Sequence, residues 1–399
     1  MNLVPARSRP EMRERTIAIV GAGLIGTGIA YELAKRGASV TVFDRAEPAR
    51  AASWAGAGML APFSEEMPDP AMLALCRASL EAYPEFVAEL RERTGLDAQF
   101  LRHGTLHVAL DERGLHDLVA RAAAYAANGG EVSVLDRAQT LEREAAVSRG
   151  VAGSVFIANE AQIDNRRLGR ALVAGCAALG VRFEHTDEFA LETDARRVRG
   201  LRSKRGFVAA DTVINAAGAW AGAIDGVPLA ARVPVFPVAG EMLAIAVPHA
   251  FARALIWHGH TYLVPRSDGR LLVGATVLER GFDTRVTAAG LSALLGAALH
   301  AAPSLGTFAV VESWAGLRPG SPDQRPFLGA TPLEGYFVAA GHYRNGILLT
   351  PITARAVADL VLDGRSDVAL GAFAVTRTIS QRGLTALEAL AAAGASANA

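Results

Sequence analysis

The sequence predicts an α/β protein, α+β overall, in which a Rossmann-like nucleotide-binding domain is joined to a second, mostly antiparallel-sheet domain. Three observations carry this. Thr16 to Asp44 reads as strand, glycine turn, helix, strand and acid in unbroken succession. Strand–small-residue-turn–helix junctions recur far apart in the chain, at Gly21, Ala217 and Gly341. Between them, Val233 to Val247 and Thr261 to Ala275 alternate in the manner of antiparallel strands, with a Ser267-Asp268-Gly269 turn.

The first stretch explains itself residue by residue. Ile17 to Val20 is a short apolar run suited to a buried strand, and Gly21, Gly23 and Gly26 follow at G-x-G-x-x-G spacing. Gly21 permits a tight turn, Gly23 lets backbone approach a pyrophosphate, and Gly26 lets helix and strand pack closely. The helix from Leu24 to Arg36 would present free N–H groups and partial positive charge to phosphates. Ser39 to Phe43 is a second strand ending on Asp44, 18 residues past Gly26, where a carboxylate accepts hydrogen bonds from ribose hydroxyls and repels a 2′-phosphate. The fingerprint disfavours NADP but does not separate NAD from FAD.

The next elements follow in order. Ala51 to Pro62, rich in Ala and Gly, suits a loop laid over a ligand. Ala71 to Arg93 carries an apolar face at Leu73, Leu80, Phe86, Val87 and Leu90, and Gly95 stops it. His103 to Leu110 alternates like a strand; Asp111 caps a helix to Asn128, and Val132 to Leu135 is a strand. Leu141 to Ala146 is a short helical or irregular piece, and Val151 to Ile157 a strand. Asp164 caps a helix to Ala178, ended by Gly180 and followed by a strand from Val181 to Glu184. Leu191 to Val208 reads as a small meander, and Asp211 to Asn215 as a buried strand running into AAGAWAG. Thr287 to His300 is an amphipathic helix and Phe308 to Trp314 a strand; Tyr336 to Ala340 is a strand leading through GHYRNG to a helix that begins near Ile347 and ends before Gly364.

Length and composition bound the function. A chain of 399 residues suggests about two domains, with the nucleotide-binding one discontinuous. It is assembled from 16–94, 151–225 and 323–375, with 95–150 and 226–322 forming the second domain and tails at 1–15 and 376–399. Forty basic and forty acidic residues cancel, so no single-sign field points to nucleic acid or an anionic membrane. MNLVPARSRPEMRER lacks a secretory apolar core, and no apolar run reaches membrane-spanning length, which points to a soluble cytoplasmic protein. Cys76 and Cys176 sit in helical patterns as buried apolar residues of a reducing compartment, and the nine histidines show no zinc spacing, so no metal is expected.

GAGLIGTG…VFDR, ASWAGAGMLAP, INAAGAW, YLVPRSDGRLLVGAT, ESWAGLRPGSPDQRPFLG and GHYRNGILLTP together resemble the flavin-dependent glycine oxidases of the D-amino-acid oxidase superfamily, over nearly all of Thr16 to Leu362. The resemblance implies an FAD-binding Rossmann-like domain and an antiparallel sheet over the flavin ring. It places Leu24 and Ile25 in the phosphate turn, Asp44 and Arg45 at the ribose, and Ala52, Ser53, Ala57, Gly58 and Met59 along the pyrophosphate and flavin. Ala217 and Gly218 join the cofactor residues, as does Glu188 through its backbone on the adenine side. Gly341, His342, Tyr343, Arg344, Asn345, Gly346, Ile347 and Leu348 fall under the pyrimidine edge. Tyr262 and Arg318 match the substrate-carboxylate ligands, with Arg344 assisting. Val277 falls where these oxidases can carry a bulkier Met. FAD would be held non-covalently, since no cysteine follows Cys176.

The residues give their own reasons. Arg318 stands in an otherwise uncharged WAGLRPGS stretch, and its planar fork suits bidentate carboxylate recognition, although a structural arginine bonding carbonyls has the same pattern. Tyr262 is either a hydroxyl donor to that carboxylate or an amphipathic aromatic at a sheet edge. Arg266 reads as a rim or structural charge and His260 as a surface histidine. A helix N-terminus at GHYRNG would stabilise negative charge on a reduced ring. No Ser-His-Asp or Cys-His nucleophile constellation is visible, and amine oxidation needs none. The expected reaction passes hydride from a small amino acid to the flavin and on to oxygen, giving imine, then keto acid and ammonia, and hydrogen peroxide, with glycine imine serving thiamine thiazole synthesis. Rival readings are a sarcosine or D-amino-acid oxidase, a quinone-linked or NAD-dependent dehydrogenase, and a non-catalytic nucleotide-binding module; a homo-oligomer is compatible with all of them.

Overall fold

The computed structural model describes residues 16–65, 69–194 and 196–379. The expected tail at 1–15, and the one beyond residue 379, lie outside the described residues. Two sheets organise the chain. The first has six strands in the order Phe327–Ala330, Tyr336–Ala340, Thr212–Asn215, Thr16–Val20, Ser39–Asp44, Arg182–His185, parallel throughout except at the Phe327–Ala330 edge. Its central strand alternates between two cores, as a pleat requires. Ile17 and Ile19 pack with helices Leu24–Lys35, Pro70–Thr94, Asn165–Ala178 and Thr350–Asp363. Ala18 and Val20 face the three-stranded meander Phe189–Thr193, Val198–Ser203 and Gly206–Ala209. Burial on both faces is why Thr16–Val20 reads as continuously apolar.

The second sheet has eight strands in the order Val310–Gly320, Phe236–Ala246, Arg270–Gly274, Thr261–Pro265, Leu255–His258, Thr105–Ala109, Gly153–Ile157, Val132–Asp136. Every pairing is antiparallel save that of Leu255–His258 with Thr105–Ala109. Helices Ala288–Ala301 and Glu112–Ala127 cover it through separate clusters around Leu294 and Leu118.

Asp111 and Asp164 cap their helices as expected, each side chain accepting a backbone N–H three residues on. Four expectations are corrected. Gly153–Ile157, grouped above with the nucleotide-binding segments, pairs on both edges within the eight-stranded sheet. The short helix is Arg137–Arg143, because Asp136 and Gln139 form a capping box upstream of Leu141. The strand expected to end at Trp314 continues to Gly320, paired residue for residue with 236–244 from Gly320 back to Glu312. The helix expected near Ile347 starts at Thr350, and residues 342–349 form a turn in which Asn345 N donates to the His342 carbonyl and Leu349 N to the Asn345 carbonyl.

Candidate active site

One cleft runs between the two sheets, and most residues singled out from the sequence line it: Gly21, Gly23, Leu24, Ile25, Asp44, Arg45, Ala52, Ser53, Ala57, Gly58, Met59, Ala217, Gly218, Tyr262, Arg318 and 342–347. At one end, Gly21 has φ +105°, and a Cβ there would sit 2.3 Å from the Ala216 carbonyl oxygen. A Cβ on Gly26 would fall 1.9 Å from the Gly21 carbonyl oxygen, so Gly26 works behind the lining, in the close packing of turn and helix. Helix Leu24–Lys35 opens on Gly23, which supplies no side-chain cap, and has no acidic residue in its first turn; Leu24 N donates to Ser53 Oγ at 2.9 Å, and the rest of this positive end suits an anion in the cleft. Asp44 Oδ2 accepts from Ala22 N at 2.6 Å and Oδ1 from Ala46 N at 2.9 Å. Asp44 thus braces the glycine turn. The Arg45 guanidinium lies 4.3 Å from the Trp220 ring, whose other neighbour is Phe282.

The Ala-rich loop is held down from outside the cleft. Trp314 Nε1 donates to the Ala55 carbonyl (2.9 Å), and Asn165 Nδ2 to that of Ser53 (2.7 Å). Arg266 is buried and structural: its guanidinium donates to the carbonyls of Ala57 (2.6 Å) and Ile163 (3.0 Å) and to Asn165 Oδ1 (3.0 Å). Burial brings its pKa down to about 10, which still leaves it charged at neutral pH. Gly58, at φ +69°, would place a Cβ 1.9 Å from the Ile163 carbonyl oxygen, so this close approach needs glycine.

At the other end the strand extension to Gly320 places Arg318 opposite Val238, its guanidinium lying across Gly240. Nη1 donates to the carbonyls of Thr276 (3.1 Å) and Ala239 (3.3 Å). Tyr262 is paired in register with Gly274, and its ring rests on that glycine. Burial is the main cause that raises the Tyr262 pKa, opposed by the charges of Arg318 and Arg344, so the hydroxyl remains a donor. Arg344 is tied to Glu65 by an ion pair of 2.5 Å. Burial works against its charge, but Glu65 more than offsets this and the Arg344 pKa is raised. Two guanidinium groups and one carboxylate leave a net single positive charge beside a phenol, which matches one incoming carboxylate.

Glu65 and Met242 line this end and were missed from sequence. Glu65 follows an unremarkable APFS, and Met242 sits among apolar strand residues, so neither carried a signal. Met242 stands opposite Gly274 and supplies bulk from a neighbouring strand, whereas Val277, matched by resemblance to a bulkier Met, is 52% exposed and outside the cleft lining. His260 is exposed and does not line the cleft. The Glu188 side chain is exposed and paired with Lys204 at 3.0 Å, and the neighbouring Phe189 reaches the cleft instead. Gly341 and Leu348 lie behind the lining, the Leu348 carbonyl accepting from Ser79 Oγ at 2.6 Å. His342 is neutral, its pKa pushed down to about 3 by burial, and its Nε2 lies 3.2 Å from Thr353 Oγ1. Because Thr350–Asp363 starts late, the turn residues Gly346 and Ile347 line the cleft instead of a helix terminus. Both cysteines are buried away from the cleft, with thiol pKa values raised by burial. Among the described residues no helix is long and apolar enough to cross a membrane, and no group of three or more His, Cys, Asp or Glu could hold a metal ion.

A cleft that begins at a glycine phosphate turn, passes a braced small-residue loop and ends at an arginine–tyrosine pair has the donor set for a dinucleotide at one end and a small acid at the other. That layout, with a parallel sheet below and an antiparallel sheet above, defines a dinucleotide-dependent oxidoreductase. The chain belongs to the family of FAD-dependent oxidoreductases (DAO), matched over residues 16–360. FAD is its cofactor, and the start of helix Leu24–Lys35, Asp44 and the Ala52–Met59 loop would hold it. The chain is 36% identical to the glycine oxidase of Geobacillus kaustophilus over 92% of its length and 98% of that protein. It is 36% identical to a bifunctional ThiO/ThiG protein of Trichormus variabilis, covering 93% of this chain and 56% of the relative. The crystal structure of the Geobacillus kaustophilus enzyme superposes with a TM-score of 0.86 over 92% of this chain and all of that one.

Proposed function

We propose that the chain is an FAD-dependent amino-acid oxidase whose substrate is glycine or a similarly small amino acid. The observation that carries this is the arginine–tyrosine pair at the end of the cleft, with a net charge set for one carboxylate. Arg318, its Nη1 engaged with backbone, would turn the rest of its fork to the substrate carboxylate, while Tyr262 donates its hydroxyl proton as a hydrogen bond. Glu65 holds Arg344 beside them, and Met242 limits the room beyond the substrate α-carbon. Bound FAD supplies the two-electron acceptor, and oxygen restores it with release of hydrogen peroxide. The chain's own work is orientation and exclusion of water: the braced loop from Ala52 to Glu65 closes one side, and Trp314 locks it by its bond to Ala55.

The reading extends to supply of glycine imine for thiamine thiazole synthesis, supported by the names of the ThiO/ThiG relatives. It places the protein in the cytoplasm, where two buried thiols stay reduced. It divides the chain into FAD-binding segments 16–94, 151–225 and 323–375 and substrate segments 95–150 and 226–322, with strand Gly153–Ile157 reassigned to the latter. The test is turnover of glycine, sarcosine and D-alanine with peroxide measured for all three, together with ammonia from glycine and D-alanine and methylamine from sarcosine. Arg318→Ala should raise KM strongly while FAD stays bound; unaltered kinetics would remove Arg318 from the pocket and overturn the reading.

A further inference from the structure

The interior next to the cleft holds a polar cluster that the proposed reaction does not use. Glu160, between strands Gly153–Ile157 and Ala161–Gln162, is fully buried. Its Oε1 accepts from Phe63 N and Ser64 N, each at 2.8 Å, and its Oε2 from Ser64 Oγ at 2.5 Å. Ser64 Oγ also lies 2.8 Å from His107 Nε2. Ser64 has one hydroxyl proton; donated to the carboxylate, it leaves Oγ to accept from His107 Nε2–H, which fixes the tautomer of a neutral imidazole. The three side chains are shut away from solvent, and the carboxylate meets the serine and not the histidine, so this is no nucleophile triad.

A buried carboxylate is costly unless donors converge on it. Among the described residues the other fully buried glutamate, Glu241, takes donors from Arg280 and Thr287 at a helix start. Three hydrogen bonds to the Glu160 carboxylate come from residues 63 and 64, immediately before Glu65, which holds Arg344 in the cleft. From the other side of the cluster, His107 stacks on Trp257 (5.7 Å between centroids, 28°), and Trp257 packs against Tyr262 (5.5 Å, 48°). Both chains of contact end on side chains of the carboxylate site.

We propose that Glu160 is a positioning residue for that site: with Ser64 and His107 it clamps the loop carrying Glu65 and the aromatic stack behind Tyr262, so that Arg344 and Tyr262 are placed before substrate arrives. The proposal rests on the cleft being an amino-acid site. Preorganisation of this kind acts on binding, because a loosened pair must be ordered anew by each carboxylate.

The test uses FAD-loaded full-length protein well below its melting temperature, comparing the parent with Glu160→Ala, Glu160→Gln, Ser64→Ala and the Glu160→Ala/Ser64→Ala double variant. The readouts are Kd for glycolate, from perturbation of the flavin spectrum, and KM and kcat for glycine. Glu160→Ala should raise Kd and KM about tenfold with kcat little changed. Glu160→Gln keeps an acceptor for the two amides but must donate to Ser64, reversing the proton on His107, and should give a smaller rise of about threefold. The double variant should be no worse than the worse single one, since both act through one clamp. Unchanged Kd and KM in the variants that fold, or additive effects, overturn the proposal; if Glu160→Ala does not fold, unchanged values in Glu160→Gln and Ser64→Ala do so. A parent that binds glycolate but oxidises no amine sinks the oxidase reading while leaving the clamp to be judged on Kd. A parent that oxidises glycine with variants indistinguishable from it sinks the clamp alone.

Discussion

Gly240→Ala perturbs the substrate end without touching any charge. A Cβ at Gly240 would lie 2.2 Å from Arg318 Nη1 and 2.6 Å from both Cζ and Nη2, whereas ordinary contact is 3.4–4 Å. The guanidinium must therefore retreat by roughly 1 Å, and a displacement of that size at a positioning group costs about a hundredfold in rate, or ~2.7 kcal/mol. The same movement takes Nη1 off the carbonyls of Ala239 and Thr276 and leaves the fork unmoored. Glycine oxidation followed by peroxide release should show kcat/KM down about a hundredfold, mostly in KM, with FAD occupancy equal to the parent. Kinetics within twofold of the parent in a variant with full FAD occupancy would refute the placement of Arg318 over Gly240 as the carboxylate seat.

Arg318→Lys keeps the charge but loses the planar fork, and should raise KM by about ten- to a hundredfold, since one charge-assisted bond is worth about 1.5–3 kcal/mol; steady-state kinetics decide it. Asp44→Ala removes the acceptor of Ala22 N and Ala46 N, and should weaken FAD binding, read as flavin lost on dialysis, while the retained holoenzyme keeps its KM for glycine. Stability should fall on acidification from about pH 6.5 toward pH 3. Burial pushes the pKa values of His107 and His342 down to about 3 from the ordinary 6.5, so in that window the unfolded chain takes up protons that the folded one refuses. Melting temperatures of the holoenzyme that stay flat or rise between pH 7 and pH 5 would contradict this.

What the sequence made legible is what is local. The conformation of the glycine turn, the strand that ends on Asp44 and the aspartate caps at 111 and 164 involve partners a few residues apart or a fixed element succession, and that local geometry is found as read. Arg318 and Tyr262 could be named by resemblance, yet their seats on Gly240 and Gly274 depend on register between strands far apart in the chain. Arg266 shows the same limit: its two readings were separated only when Ala57 and Ile163, 209 and 103 residues away, supplied the carbonyls. Glu65, Met242 and the Glu160–Ser64–His107 cluster left no local pattern, because an isolated Glu, Met or His in a half-apolar stretch looks alike whether it meets a ligand, a helix end or solvent. The helix expected at Ile347 failed for a related reason. Glycines at 341 and 346 mark a turn, but its length was set by tertiary bonds such as Tyr343 N to the Pro319 carbonyl.

The account stands most directly on one spectrum. Purified protein should show the two visible bands of an oxidised flavin, lose them when glycine is added without oxygen, and regain them on admission of air with one hydrogen peroxide formed per glycine oxidised. A colourless protein with no affinity for added FAD, or a yellow one that glycine and other small amino acids fail to bleach, would contradict the claim that this cleft brings a carboxylate-anchored amine to the flavin.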